Sequence, residues 1–255
     1  MLNNEYLNIE KIILSGIPCI VIKPREAEGK LKTILLYHGW SSKKENHTML
    51  GETLALYGYM VIIPDAAYHG ERGSIDYEDP NNAAKYFWNI VFNNIKESET
   101  LLCEAVRSLG GDEKNIGVIG HSMGGFSAAG IFIKHPEVKA IVNINGSFAY
   151  EKAENIFLTS LNSGFTVPKE HLEELKSYDP VNNKDKFKDR AVLMLHGEAD
   201  AVVSIESQEY FYKEILNTYK AASENIKFVR YPRLNHYVTI AMVEEAIEWF
   251  NKHLV

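Results

Sequence analysis

The chain has 255 residues, 45% of them hydrophobic, and a formal net charge of −7. This suits one large α/β domain with ample core, and the lysines are interleaved with acids, as in "KSYDPVNNKDKFKDR", so no basic stripe is presented to nucleic acid. Cys19 and Cys103 form no C-x-x-C pair, "MLNNEYLNIE" is too polar for a signal peptide, and no apolar run approaches the roughly 18 residues of a membrane span; a cytoplasmic protein without disulfide framework, metal site or membrane partner is expected.

In chain order, "IEKIIL" and "PCIVIKP" flank the turn signal Ser15-Gly16 and read as an antiparallel pair. "TILLYHG", from Thr33, is a continuous apolar run ending at glycine, as in a strand buried on both faces. A helix is predicted from about Lys43 to Tyr57, then a buried strand over Tyr59–Asp65, the loop "AAYHGERGSIDYEDP", and a long helix from about Asn82 to Leu109. "IGVIG", a helix after Ser122, and "KAIVNIN" (Lys139–Asn145) follow. "RAVLMLHG" (Arg190–Gly197) is another strand, with a helix near Ile205–Ala221, the strand "IKFVRYP" (Ile226–Pro232) and a closing amphipathic helix, "VTIAMVEEAIEWFNKHL". Strands separated by helices imply a mostly parallel sheet covered on both faces. Residues 147–189 break the alternation: they hold Phe148, Tyr150, Phe157, Phe165, Tyr178 and Phe187 but no convincing strand. They read as a small cap-like helical excursion above the sheet, inside a single domain spanning 1–255.

The stretch "NIGVIGHSMGGFSAAG" carries the first chemical signal. A serine between glycines can be an ordinary turn. Here it closes a buried strand and opens a helix rich in small residues, the setting of a nucleophilic serine on a strained elbow. Such a serine needs a base, and the base needs an orienting acid. Downstream of Ser122, Asp200 ends "LMLHGEAD", with Glu198 as a rival two residues earlier, and His236 lies in "RLNHYV" after the last strand. In an open α/β sheet, chemistry collects at the carboxyl ends of strands, where all three fall.

Together, "GHSMGG", "HGEAD" and the histidine after the last strand resemble the α/β-hydrolase fold with its order Ser, Asp, His. "LLYHGW" and "PDAAYHGERG" make the chain similar to cytoplasmic bacterial esterases of the dienelactone-hydrolase and prolyl-oligopeptidase-like branch, over about Thr33–Val255. The resemblance implies a serine carboxylesterase with Ser122, His236 and Asp200 as catalytic residues, no cofactor, and a small ester as substrate. It also implies an oxyanion hole made by the backbone N–H groups of Met123 and Trp40. Dienelactone hydrolases proper use a cysteine nucleophile, so Ser122 counts against that activity. A small peptidase or amidase of the same branch, or a non-catalytic binding protein on the scaffold, are the alternatives; a monomer or homodimer is expected. Trp40, Tyr68 and His69 are placed at the substrate pocket, with a local ion pair among His69, Glu71 and Arg72 as the other reading of that loop. His38 and His196, each before a glycine at a strand end, are expected to satisfy backbone groups, and His121 to face away from the site by strand alternation. His253, in the last turn of the closing helix, complements its dipole.

Overall fold

The computed structural model describes residues 4–160 and 169–255. Eight strands form one sheet: β1 (Leu7–Leu14), β2 (Ile17–Pro24), β3 (Leu31–Tyr37), β4 (Met60–Pro64), β5 (Gly111–His121), β6 (Val138–Ile144), β7 (Ala191–Gly197) and β8 (Ile226–Tyr231), in the order β1-β2-β4-β3-β5-β6-β7-β8. β1 and β2 form the expected antiparallel hairpin, and β2 meets β4 antiparallel; every pairing from β4 to β8 is parallel.

The continuous apolar runs are explained by two packed faces. Alternate residues of one strand feed opposite cores: Leu35 and Tyr37 enter one, Ile34 and Leu36 the other. The first face is covered by α2 (Pro80–Arg107), α3 (Met123–Lys134) and α6 (Ile205–Ile215), through residues such as Phe92, Phe132 and Phe211. The second is covered by α1 (Thr48–Leu56) and α7 (Ile240–His253), through Leu54, Met242 and Phe250. α2 begins at a capped end: the Asp79 side chain accepts from Asn81 N–H and Pro80 occupies the first turn.

Several boundaries differ from the sequence expectation; the helix expected from Lys43, for one, opens as a 3₁₀ turn over Lys44–His47 and becomes α1 only at Thr48. β5 starts five residues before Ile116, because the polar stretch from Gly111 pairs with Leu31 across a register shift. α6 stops at Ile215 and tightens into a 3₁₀ turn over Leu216–Tyr219. The stretch 147–189 is helical where described, with α4 (Tyr150–Ser160), α5 (Lys169–Tyr178) and a 3₁₀ run over Pro180–Lys186, and holds no strand among its described residues. Phe165 and the rest of 161–168 lie outside the described residues. The excursion is anchored to the first core: Phe148 stacks on Phe211 with ring centroids 4.7 Å apart, and Tyr150 Oη donates to Phe126 O.

A buried ionic knot ties the loop after β3 to the loop after β4. Lys44 and Asp65 are both fully buried; Lys44 Nζ lies 2.5 Å from Asp65 Oδ2 and 2.6 Å from Glu71 Oε1. Asp65 also accepts the Lys44 and Glu71 backbone N–H groups. The local pairing expected among His69, Glu71 and Arg72 is therefore absent: Glu71 pairs with Lys44, and Arg72 makes a two-pronged bond to Glu97 on α2. Long-range partners win because α2 and the loop after β3 bring opposite charges to this loop from outside its own sequence. Removing one partner strands a buried charge, so Lys44→Ala should lower the unfolding free energy by about 3–5 kcal/mol in urea melts; a loss below about 1 kcal/mol would mean the pair is solvated in practice.

Candidate active site

Ser122 stands between β5 and α3 with φ 56° and ψ −122°, a conformation that a side chain rarely adopts and that costs about 1–3 kcal/mol. The surroundings hold it there. Ser122 N–H donates to Ile144 O at 2.9 Å, and Ser122 O accepts from Gly125 N–H at 2.8 Å. Two glycines make the turn sterically possible. A Cβ on Gly120 would run into the Gly124 carbonyl, and one on Gly124 into the carbonyls of Tyr37 and His38. α3 therefore starts in direct backbone contact with β3 and β5.

Asp200 lies three residues beyond β7, its side chain fully buried. Its Oδ1 accepts the N–H groups of Val202 and Val203, each at 2.9 Å, and its Oδ2 lies 2.7 Å from His236 Nδ1. Burial opposes ionisation of this carboxyl, but the contacts with His196 and His236 and the Val203 N–H outweigh it and hold Asp200 below the usual carboxylate range. An ionised carboxylate can only accept, so Nδ1 of His236 carries the proton and Nε2 of the neutral ring is left as an acceptor. Glu198, the rival acid, is exposed.

Among the described residues Ser122 makes no side-chain hydrogen bond to His236; in sites of this kind that bond often tightens only when substrate is bound. The backbone around Ser122 is crowded by the loop after β3: a Cβ on Gly39 would lie 3.2 Å from Ser122 Cβ, so the chain leading into Trp40 passes close by the serine. The Trp40 and Met123 N–H groups donate to no acceptor among the described residues. For Met123 this follows from its place as the first residue of α3, where a helix leaves its donors open.

Two asparagines that sequence reasoning overlooks hold the loops together. Asn235 Oδ1 accepts from both Ala201 N–H and His236 N–H, joining the Asp200 loop to the His236 loop. Asn145, at φ 48°, donates to Tyr237 O and accepts from Gly197 N–H. Asparagine tolerates that left-handed conformation better than most residues, and its place at the end of "KAIVNIN" is the signal that could have marked it.

The histidines sort as follows. His38 Nε2 accepts from Ala66 N–H and Nδ1 donates to Gly39 O, satisfying backbone groups. His196 Nε2 donates to Val203 O at 2.9 Å. His121 does not stay clear of the site: its ring centroid is 5.0 Å from that of His236. Alternation does turn it toward the face covered by α7, but His236 sits on the loop that leads into α7 and reaches the sheet edge from that face.

A cavity of about 300 Å³ opens beside Ser122. Its wall comes from Trp40, from Ala83, Ala84, Phe87 and Trp88 of α2, from Ala153, Glu154, Ile156 and Phe157 of α4, and from Ala201–Ser204. Tyr68 and His69, expected at the pocket, do not line it. Tyr68 is 41% exposed and packs on Tyr86; His69 is fully buried behind Trp40, its ring 5.8 Å from the indole. Trp40 takes the inner position because its Nε1 donates to Tyr77 O, which closes the loop over His69. Among the described residues, no group of three or more His, Cys, Asp or Glu is arranged to hold a metal ion, and no helix is long and apolar enough to cross a membrane.

The family model for "Dienelactone hydrolase family" matches residues 17–241. The chain belongs to the dienelactone hydrolase family. Members of this family are hydrolases built on the α/β-hydrolase fold, and the chain shares that fold. YitV of Bacillus subtilis (strain 168) is 29% identical over 97% of this chain and 100% of its own length. Esterase YjfP of Escherichia coli (strain K12) is 26% identical over the same shares of the two chains. Among solved structures, TT1662 from Thermus thermophilus superposes with a TM-score of 0.81 at 20% identity, covering 96% of this chain and 97% of that one. An acylaminoacyl peptidase from Pyrococcus horikoshii has a TM-score of 0.78 at 16% identity, with 98% of this chain matching 42% of that one. At such identities the structural likeness speaks for the fold alone.

One buried and two half-buried histidines make stability depend on pH. Burial pushes His38 and His47 from 6.5 down to about 4, and burial with the nearby His236 pushes His121 down to about 3. Between about 4 and 6.5 the unfolded chain therefore binds more protons than the folded one, and the unfolding free energy rises with pH. This stability is fully present above 6.5 and is lost as pH falls through 4. Urea midpoints measured at pH 7, 6, 5 and 4 should decline at each step; a flat profile would refute the assignment of these rings as shielded from water and neutral.

Proposed function

We propose that the protein is a serine carboxylesterase that hydrolyses small, short-chain acyl esters through Ser122, His236 and Asp200. The observation that carries the reading is the 2.7 Å bond from His236 Nδ1 to the buried Asp200 carboxylate, on loops at the strand ends beside the strained Ser122 elbow. In this reading His236 Nε2 takes the Ser122 Oγ proton as the oxygen attacks the ester carbonyl. Asp200 holds the imidazole in the right tautomer and stabilises the imidazolium that forms. The N–H groups of Met123 and Trp40 then donate to the tetrahedral oxyanion, each worth about 3 kcal/mol in sites of this kind. His236 returns the proton to the leaving alcohol, and water releases the acyl group by the same steps in reverse order.

The esterase relative YjfP, which matches the chain end to end, supports ester hydrolysis. A serine at position 122 argues for an esterase over a dienelactone hydrolase proper. The short-chain preference rests on the cavity: about 300 Å³ is at the lower end of ligand-pocket sizes, and its aromatic walls leave little length for a fatty chain.

Ser122→Ala and His236→Ala should each lower kcat on p-nitrophenyl butyrate by a factor of order 10³ to 10⁶, and the double variant should be little worse. His253→Ala should remain near wild type. Residual activity above a tenth of wild type in Ser122→Ala would sink the nucleophile assignment. Across p-nitrophenyl esters of graded length, kcat/KM should peak at acyl groups of roughly two to four carbons and fall toward twelve; a steady rise to twelve would reject the size argument.

A further inference from the structure

We propose that Glu154 and the aromatic rings around it form a subsite for an organic cation, so that the preferred esters carry an ammonium group. The proposal rests on the esterase reading of the same cavity and names its substrate class. Two carboxylates stand among the described residues that line this cavity, Asp200 and Glu154. Both oxygens of Asp200 are occupied: Oδ1 by two backbone N–H groups and Oδ2 by His236. Glu154 is different. Its Oε2 accepts from Trp88 Nε1 at 2.8 Å, and Oε1 takes no hydrogen bond from any described residue. No lysine, arginine or histidine among the described residues pairs with it. The group thus faces a space walled by Trp40, Phe87, Trp88, Phe126 and Phe157 with one oxygen unused.

A carboxylate without a counter-charge is unfavourable in such surroundings. Burial pushes the Glu154 carboxyl above its ordinary range, against the pull of the Trp88 N–H. A cation beside it would reverse that push. Structure alone does not call for the charge, because the bond that ties α4 to α2 through Trp88 needs only an acceptor oxygen, which glutamine also offers. The charge is therefore surplus to packing. Aromatic rings complete the argument: they attract a cation that lies over a ring face, and more strongly where water is excluded. A carboxylate and several aromatic rings in one small cavity match a quaternary or protonated amine better than a neutral chain, and they disfavour an anionic substrate outright.

The test uses two isosteric pairs that differ only by a nitrogen cation replacing a carbon. On the acyl side these are the p-nitrophenyl esters of 4-(trimethylammonio)butyric acid and 5,5-dimethylhexanoic acid. On the alcohol side they are butyrylcholine and 3,3-dimethylbutyl butyrate. In at least one pair the wild-type kcat/KM should favour the cation by about tenfold or more, and Glu154→Gln should bring that ratio down toward one; the pair that responds tells which side of the scissile bond the subsite serves. A wild-type ratio at or below one in both pairs overturns the proposal, as does a ratio that Glu154→Gln leaves unchanged. If neither the four esters nor p-nitrophenyl butyrate is turned over, the esterase reading has failed instead; whenever the four esters are silent, calorimetry with butyltrimethylammonium decides the subsite by itself. Binding to the wild type that weakens about tenfold in Glu154→Gln upholds it, and absent or equal binding overturns it. Should Glu154→Gln melt early, the wild-type ratio and the wild-type titration still decide.

Discussion

The close approach of backbone to backbone at the Ser122 elbow is the constraint on which the rest of the structure depends. β5 can deliver its last residue into α3 only because Gly120 and Gly124 allow carbonyl groups to sit where side chains would be. The cost of a serine at φ 56° is then met by hydrogen bonds from the neighbouring strand and the first turn of the helix. Once α3 is pressed against β3 and β5 in this way, the loop after β3 has nowhere to go but over the serine. That is why Gly39 lies against Ser122. The geometry of one turn thus sets the position of two others.

Around this rigid centre the charges are arranged in two separate networks. Lys44, Asp65 and Glu71 fasten the loop after β3 to the loop after β4, and Arg72 with Glu97 fastens the latter to α2. Asp200, His236, Asn235 and Asn145 fasten the loops after β6, β7 and β8. The buried carboxylates at the heart of the two networks, Asp65 and Asp200, have both oxygens engaged, so neither is left to compete for the space beside Ser122. Loops are ordinarily the mobile part of a fold; here those at the carboxyl edge are cross-linked to one another by buried polar contacts, which low local polarity strengthens.

The fold was legible in the sequence where apolar runs were long and punctuated. Strands such as "TILLYHG" and "RAVLMLHG" are buried on both faces and say so by composition, and the hairpin at Ser15-Gly16 is written in its turn residues. The polar start of β5 was not legible, because its pairing to Leu31 is a tertiary choice across a shifted register. Similar reasons govern the site. Ser122, Asp200 and His236 announce themselves by residue type at strand ends. Lys44 reads locally as a solvated helix start, and its burial follows only from two carboxylates 21 and 27 residues away. The pocket wall was the least legible part. Tyr68 and His69 sit beside motif residues in sequence, whereas the wall is made by faces of α2 and α4 whose apolar stripes look like ordinary core.

The wall has one more consequence, because part of it belongs to α4, between β6 and β7. Ala153, Ile156 and Phe157 take no part in the hydrogen bonds that fix Asp200 and His236, and Ala83 and Ala84 lie on a helix that continues well past the cavity. Substitutions there can reshape what fits while the polar framework below stays intact. Descendants of this chain could therefore diverge in diet without diverging in chemistry, drifting through changes in an upper storey whose foundations need not be relaid.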